Sequence, residues 1–162
     1  MLAVAVALVA TAAFAAPDFA SMQVIPYEPP KPAPAFTLPA LNGKEVHLSD
    51  LRGRVAMLFF WTTRWPDCRK ELPSVNQMAS ELKGKGLKLV MIDFRENPGL
   101  VQRTVKGRGY TGRVLLDESG DTTGRVYGVF GTPTVYFVDR QGNLVGRPGC
   151  SMTIKVGPRA QV

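Results

Sequence analysis

The stretch Phe60-Trp61-Thr62-Thr63-Arg64-Trp65-Pro66-Asp67-Cys68-Arg69-Lys70-Glu71 decides how this chain folds, because it joins a buried strand to a helix start. Upstream, Val55–Trp61 is a near-continuous apolar run, as a central strand buried on both faces requires. Downstream, Pro66 suits the first helical turn, where its missing N–H is no loss, and Asp67 complements the positive end of the helix dipole. Cys68, Leu72, Val75, Ala79 and Leu82 recur at helical spacing and define a core-facing stripe. Pro73 lies inside this helix and is expected to kink it, and Gly84 and Gly86 end it.

Working outward, Phe36-Thr37-Leu38 and Val46-His47-Leu48 flank an Asn42-Gly43 turn and read as a small hairpin. Ser49-Asp50-Leu51-Arg52-Gly53 is a short turn. Leu87–Phe94 is a second buried strand, residues 98–106 a helix, 114–116 a short strand and 121–127 a short helix. Residues 134–139 and 143–147 form a hairpin through Asp139-Arg140-Gln141-Gly142. The order β-α-β-α-β-α-β-β predicts an α/β domain with a central mixed sheet flanked by helices. There is no internal repeat.

A chain of 162 residues, 45% apolar, supplies one globular domain with a real core. Residues 1–16 carry no side-chain charge and end in small residues, so they read as a secretory signal cleaved near Ala15 or Ala16. They fall short of the roughly 20 apolar residues that span a bilayer. A positive n-region is missing, and an uncleaved anchor is the alternative. Residues 17–34 contain Pro17, Pro26, Pro29, Pro30, Pro32 and Pro34 and read as an extended Pro-rich linker. The domain is thus placed at 35–150, with 151–162 an irregular tail. The net charge of +7 is scattered between Lys31 and Arg159 as a solvated basic surface. No basic stripe with a known module points to nucleic acid. A basic face does favour acidic partners or transient contact with anionic membranes. His47 is the only histidine, in an alternating segment that places it on a strand surface, and no His/Cys cluster has zinc spacing. No metal or cofactor is expected. Cys68 and Cys150 are an even pair, as an oxidising compartment favours.

Four stretches carry a family likeness: residues 43–53, the turn from Trp61 to Glu71, Leu116-Asp117 followed by Val126-Tyr127-Gly128-Val129, and Gly131-Thr132-Pro133-Thr134 with Phe137-Val138-Asp139. In this order and spacing, residues 33–149 resemble the exported thioredoxin-like proteins of the TlpA/ResA type. The resemblance implies a thioredoxin-like fold with an N-terminal hairpin extension, a periplasmic location and a redox partner protein. The family pattern is Trp-x-x-x-Cys-x-x-Cys-Arg. Aligned without a gap from Trp61 to Arg69, it puts Trp65 on the first cysteine and Cys68 on the second. In the family the first thiolate, stabilised by the helix N-terminus, attacks a substrate disulfide and the second cysteine resolves the product. Tryptophan does neither, because its indole is only a hydrogen-bond donor. The resemblance therefore implies a degenerate site, with Cys68 as the more buried and less reactive partner.

Pro133 matches the family's cis-proline, whose loop faces the cysteine motif and pairs with an extended substrate segment. Arg64, Pro66, Asp67 and Thr132 would border that groove, with Trp65 and Phe130 as its aromatic surface. Glu96 matches an acid that tunes thiol protonation in ResA-like proteins. The other reading, a solvated loop glutamate before Asn97-Pro98, is favoured once the first cysteine is gone. Where thioredoxin has a buried acid this chain has Phe59, and Arg64 replaces a family tryptophan. The closing family helix is expected to be shortened or missing, since 151–162 contains Gly157 and Pro158. In the family topology the last strand returns toward the active-site end, which would let Cys150 face Cys68 as a relocated disulfide pair. A structural bridge and two free thiols are the plainer options.

Three readings follow. One is a family oxidoreductase whose surviving chemistry runs through Cys68 alone or through Cys68–Cys150. The second is a redox-inactive module that binds an extended peptide or protein beside Trp65 and Pro133. The third is a decayed or incomplete product. A peroxiredoxin-type reading is weaker, because Trp65 occupies the position of that reactive cysteine.

Overall fold

Every residue of strand β4 (Val55–Trp61) is buried, and this organises the domain in the computed structural model, which describes residues 24–148. Side chains alternate across a strand. Val55, Met57, Phe59 and Trp61 thus enter one core cluster, and Ala56, Leu58 and Phe60 enter the other. The first cluster is closed by helices α1 (Pro66–Lys83) and α2 (Pro98–Arg108). The second is closed by the hairpin of β2 (Thr37–Pro39) and β3 (Glu45–His47), the 3-10 turn Leu48–Leu51, and Tyr127. Both long helices therefore lie on one face, and the hairpin covers the other. The mixed sheet is thus flanked by helices as element order predicts, the long ones on one face and the short helical turns on the other.

The main sheet is mixed. β4 runs parallel to β5 (Leu87–Phe94), from Val55 opposite Leu87 to Trp61 opposite Asp93. β5 is parallel in turn to β6 (Arg113–Asp117). On its other side β4 is antiparallel to β7 (Thr134–Val138), with Phe60 opposite Thr134. β8 (Asn143–Pro148) returns along β7, and β1 (Val24–Pro32) completes the order β1-β8-β7-β4-β5-β6.

Local chemistry explains the helix ends. Asn97 caps α2 by accepting from the Gly99 N–H at 2.9 Å, and Gly109 closes it in the left-handed conformation at φ 64°. In α1 the buried positions are Cys68, Leu72, Val75, Met78 and Leu82, and Ala79 is partly buried, as the stripe predicts. The helix continues through Pro73. The short helix after β6 is a π-type turn, Asp121–Val126.

The proline-rich segment departs from expectation. Residues 24–32 are a strand, not a linker, so the folded unit begins before residue 35. Pairing runs from Val24 opposite Pro148 to Pro32 opposite Asn143, with an irregularity between Pro26 and Lys31. An edge strand tolerates proline because one side of its backbone needs no partner, and the irregularity takes up Pro29 and Pro30. Residues 1–16, read above as a signal, residues 151–162, read as a tail, and Cys150 lie outside the described residues.

Gly146 lets this edge strand approach. A Cβ there would sit 2.5 Å from Val24 Cγ1 and 3.0 Å from the Ile25 carbonyl oxygen. Gly146→Val is expected to lower unfolding stability by about 1–3 kcal/mol through overpacking. Urea denaturation checks this, and an unchanged midpoint would show that β1 contributes nothing to the fold.

Candidate functional site

Trp65 is the N-cap residue of α1, with extended backbone (φ −70°, ψ 124°). Its side chain supplies no cap, and its N–H instead donates to Thr62 Oγ1 at 3.3 Å. Large apolar residues are poor N-caps, so local helix preference does not select tryptophan here. Its indole is 54% exposed.

One turn into α1, Cys68 is an unbridged thiol among the described residues and is wholly buried on the core face. Burial pushes its pKa up, and the nearby Asp67 charge adds to this. The backbone N–H of Thr62 and the hydroxyls of Thr132 and Thr62 act in the opposite sense, but burial wins.

The Thr132–Pro133 peptide is cis and precedes β7. Pro133 is buried, while Thr132 and Thr134 remain partly open. Together with Trp65, Asp67, Lys70, Glu71 and Gly131, these residues line a surface groove of about 600 Å³. Burial and the Asp67 charge raise the Glu71 pKa. Four of the residues singled out from sequence thus share one groove: Trp65, Asp67, Thr132 and Pro133. Arg64 and Pro66 do not line it. Phe130, next to Gly131, is 96% exposed and stands outside the groove lining.

Arg64 faces another partner. Its Nε donates to Glu96 Oε1 at 3.1 Å, though its own side chain is 73% exposed. Glu96 is not the solvated loop residue expected without the first cysteine, since its side chain is only 1% exposed. It also accepts hydrogen bonds from the Thr63 N–H and, at 2.9 Å, the Thr63 hydroxyl. Arg95 explains the inward turn. It adopts φ 59°, sends its side chain out so that Nε donates to the Ser119 carbonyl, and leaves Glu96 facing the strand ends.

Sequence reasoning missed Asp93. It is buried near the end of β5, opposite Trp61. Burial and then the adjacent Glu96 carboxyl raise its pKa to about 8, against the opposing effects of the Glu96 N–H and Arg64. Neither Asp93 oxygen has a partner at hydrogen-bonding geometry. The available signal was a lone acid in the otherwise apolar run Leu89-Val-Met-Ile-Asp-Phe94. Beside it, Trp61 packs edge-on against Tyr110, with ring centroids 5.4 Å apart at 90°.

Asp93 has a pH signature. A carboxyl with a raised native pKa contributes stability that is complete below about pH 4 and lost as pH rises toward about 8. The protein is expected to be a few kcal/mol less stable at pH 8 than at pH 5. Asp93→Asn should flatten this slope and be the more stable form at pH 8. Urea melts at both pH values decide it, and a wild-type slope retained in the variant would assign the proton to another group.

Residues 29–147 match the AhpC/TSA family. Among curated relatives, the thiol-disulfide oxidoreductase ResA of Bacillus subtilis (strain 168) is 32% identical over 113 residues, 70% of this chain and 63% of that protein. ResA of Bacillus thuringiensis subsp. konkukian (strain 97-27) is 32% identical over 115 residues, 71% of this chain and 66% of that protein. The chain spans a little under two thirds of the length of these curated relatives. Among solved structures, a putative thiol:disulfide interchange protein DsbE from Chlorobium tepidum superposes with a TM-score of 0.69 at 33% identity, covering 76% of this chain and 86% of that one. A putative protein disulfide isomerase from Bacteroides thetaiotaomicron gives 0.66 at 32% identity, covering 72% and 76%. The mixed sheet, the helix start beside Pro133 and these matches agree: the chain belongs to the AhpC/TSA family, with a thioredoxin-like fold and ResA-type thiol–disulfide oxidoreductases as its homologues.

Proposed function

We propose that this chain is an exported member of the thiol–disulfide oxidoreductase family whose groove holds an extended peptide or protein segment without dithiol exchange. The observation that carries this reading is the inversion of accessibility at the head of α1. Trp65, at the position matched to the family's first cysteine, is more than half exposed and lines the groove beside cis-Pro133, while Cys68 is fully buried beneath. A half-exposed aromatic in a concave site offers a large contact area. A thiol whose pKa is raised by burial is a poor nucleophile. The Thr132–Thr134 backbone at the mouth of β7 suits pairing with an extended segment, as in strand addition. Export rests on the charge-free segment 1–16, and a retained anchor or transient membrane contact fits the same segment.

A single-thiol reading has its own support, since the Thr62 N–H and the hydroxyls of Thr62 and Thr132 all favour a Cys68 thiolate. The rewired pair draws on register. Phe137 faces Gly146, so β8 runs back toward the Pro133 end before residue 150.

Titration with extended peptides, followed by Trp65 emission and by calorimetry, tests the binding role. Trp65→Ala should weaken binding tenfold or more, and Cys68→Ser should leave it unchanged. Disulfide turnover by the wild type that disappears in Cys68→Ser would reject the redox-inert reading. Alkylation mapping should find Cys68 unbridged and slow to react. A Cys68–Cys150 bridge that forms and breaks reversibly would establish the rewired pair instead.

A further inference from the structure

The groove beside Trp65 carries a charge pattern of its own. Asp67, Lys70 and Glu71 stand on its helix side. They recur at i, i+3 and i+4, so they form one face of α1. The other wall is held to that face at Cys68. The Thr132 hydroxyl acts on the Cys68 thiol, and Glu71 lies one turn after Cys68, so the loop 131–134 runs along the same side of the helix. Every residue lining the groove except Pro133 is exposed or partly open. The charged groups and the indole therefore share one accessible surface.

The two carboxylates there differ in their partners. Lys70 Nζ lies 3.4 Å from Asp67 Oδ1, so that carboxylate has a counter-charge. Glu71 belongs to none of the ion pairs among the described residues, which are Arg64–Glu96, Lys70–Asp67 and Arg125–Asp121. Burial and then the Asp67 charge push its pKa up, and no cation offsets them. The facing loop supplies no charge either. Its Thr132 hydroxyl is engaged with Cys68, and its Thr134 hydroxyl donates to the Gly131 carbonyl at 2.6 Å. Two acids against one base leave the groove net negative, in a chain whose net charge is +7. The positive surface repels basic ligands at long range, so any preference for them has to come from the groove itself.

Resting on the reading of this groove as a peptide site, we propose that it selects basic segments: an arginine or lysine of the bound chain sets its charged end against Glu71, and Trp65 packs the residues beside it. Arginine suits the site better than lysine. Its fork meets both oxygens of a carboxylate, and a guanidinium is more weakly hydrated than an ammonium, so it gives up less on leaving water. The exposed indole adds apolar area, and its negative face attracts a cation lying over it. A groove of about 600 Å³ has room for one long side chain and its neighbours. Lys70, the one cation on the groove wall, opposes this selection in part.

Calorimetric titration of the full chain with capped peptides Ala-Val-X-Val-Ala tests this, X being arginine, citrulline or glutamate. Citrulline keeps the size and shape of arginine without its charge. At low salt the arginine peptide is expected to bind at least tenfold more tightly than the citrulline peptide, and the glutamate peptide most weakly. Glu71→Gln should bring the arginine peptide down to the affinity of the citrulline peptide. Lys70→Gln, which removes the opposing cation, should strengthen arginine binding severalfold. Unchanged amide chemical shifts away from the groove establish that each variant is folded. Equal affinities for arginine and citrulline, or an arginine preference that survives Glu71→Gln, would overturn the selection while leaving the groove a peptide site. Absence of saturable binding by all three peptides would instead remove the peptide reading, and this proposal with it.

Discussion

Strand β4 has no face toward water, and the candidate site is built from what is attached to its end. Because both of its faces are packed, sliding its register by one residue would exchange Phe60 and Trp61 between two filled cores. The register is therefore firm, and three loops inherit that firmness. The chain leaving Trp61 turns through Thr62–Trp65 directly into α1. β7, whose Thr134 faces Phe60, carries Thr132 and Pro133 to the same place. β5, whose Asp93 faces Trp61, delivers Glu96 three residues later. The crevice at the carboxyl ends of parallel strands is a common place for function in α/β sheets, and here an antiparallel neighbour adds its own loop.

Two acids meet under this crevice, and their surroundings differ. Glu96 has three donors, two from Thr63 and one from Arg64. Asp93 lies equally deep with none at hydrogen-bonding geometry. Burial without such donors favours the protonated form of Asp93, while its donors hold the Glu96 carboxyl in place. The Thr63–Arg64 turn is thereby tied to the end of β5 by a carboxylate rather than by apolar packing. This leaves the Arg64 guanidinium largely in water while its Nε is fixed.

Most of the fold was legible because it is written in periodicity. The apolar runs of β4 and β5, the helical stripe from Cys68 to Leu82 and the Asn-Gly hairpin each state their element locally. What escaped was tertiary. Proline-rich residues 24–32 read as linker, because nothing local says that β8 leaves an edge free for them. In the site, Trp65, Asp67, Thr132 and Pro133 were found through a motif read in order. Glu96 was recognised, but its burial was not, because the inward turn depends on a left-handed Arg95 that sequence does not announce. Asp93 was passed over inside a strand whose hydrophobicity masked its one acid.

The head of α1 retains the electrostatics of an anion site while lacking a surface group to use them. Pro66 opens the helix, the Asp67 carboxylate occupies its positive end, and the remaining first-turn N–H groups have no intrahelical partner. The Thr62 and Thr132 hydroxyls converge on a sulfur that burial keeps protonated. An indole cannot accept a hydrogen bond, so Trp65 cannot satisfy those donors. In the binding role proposed for the groove, the acceptors that suit them are the carbonyls of an extended chain lying across Trp65 and Pro133. Under that proposal, the arrangement that would stabilise a thiolate in a dithiol enzyme serves, with tryptophan in front, to orient a bound backbone. Under the same proposal, recognition and thiol chemistry draw on one set of donors, so loss of the second leaves the first in place.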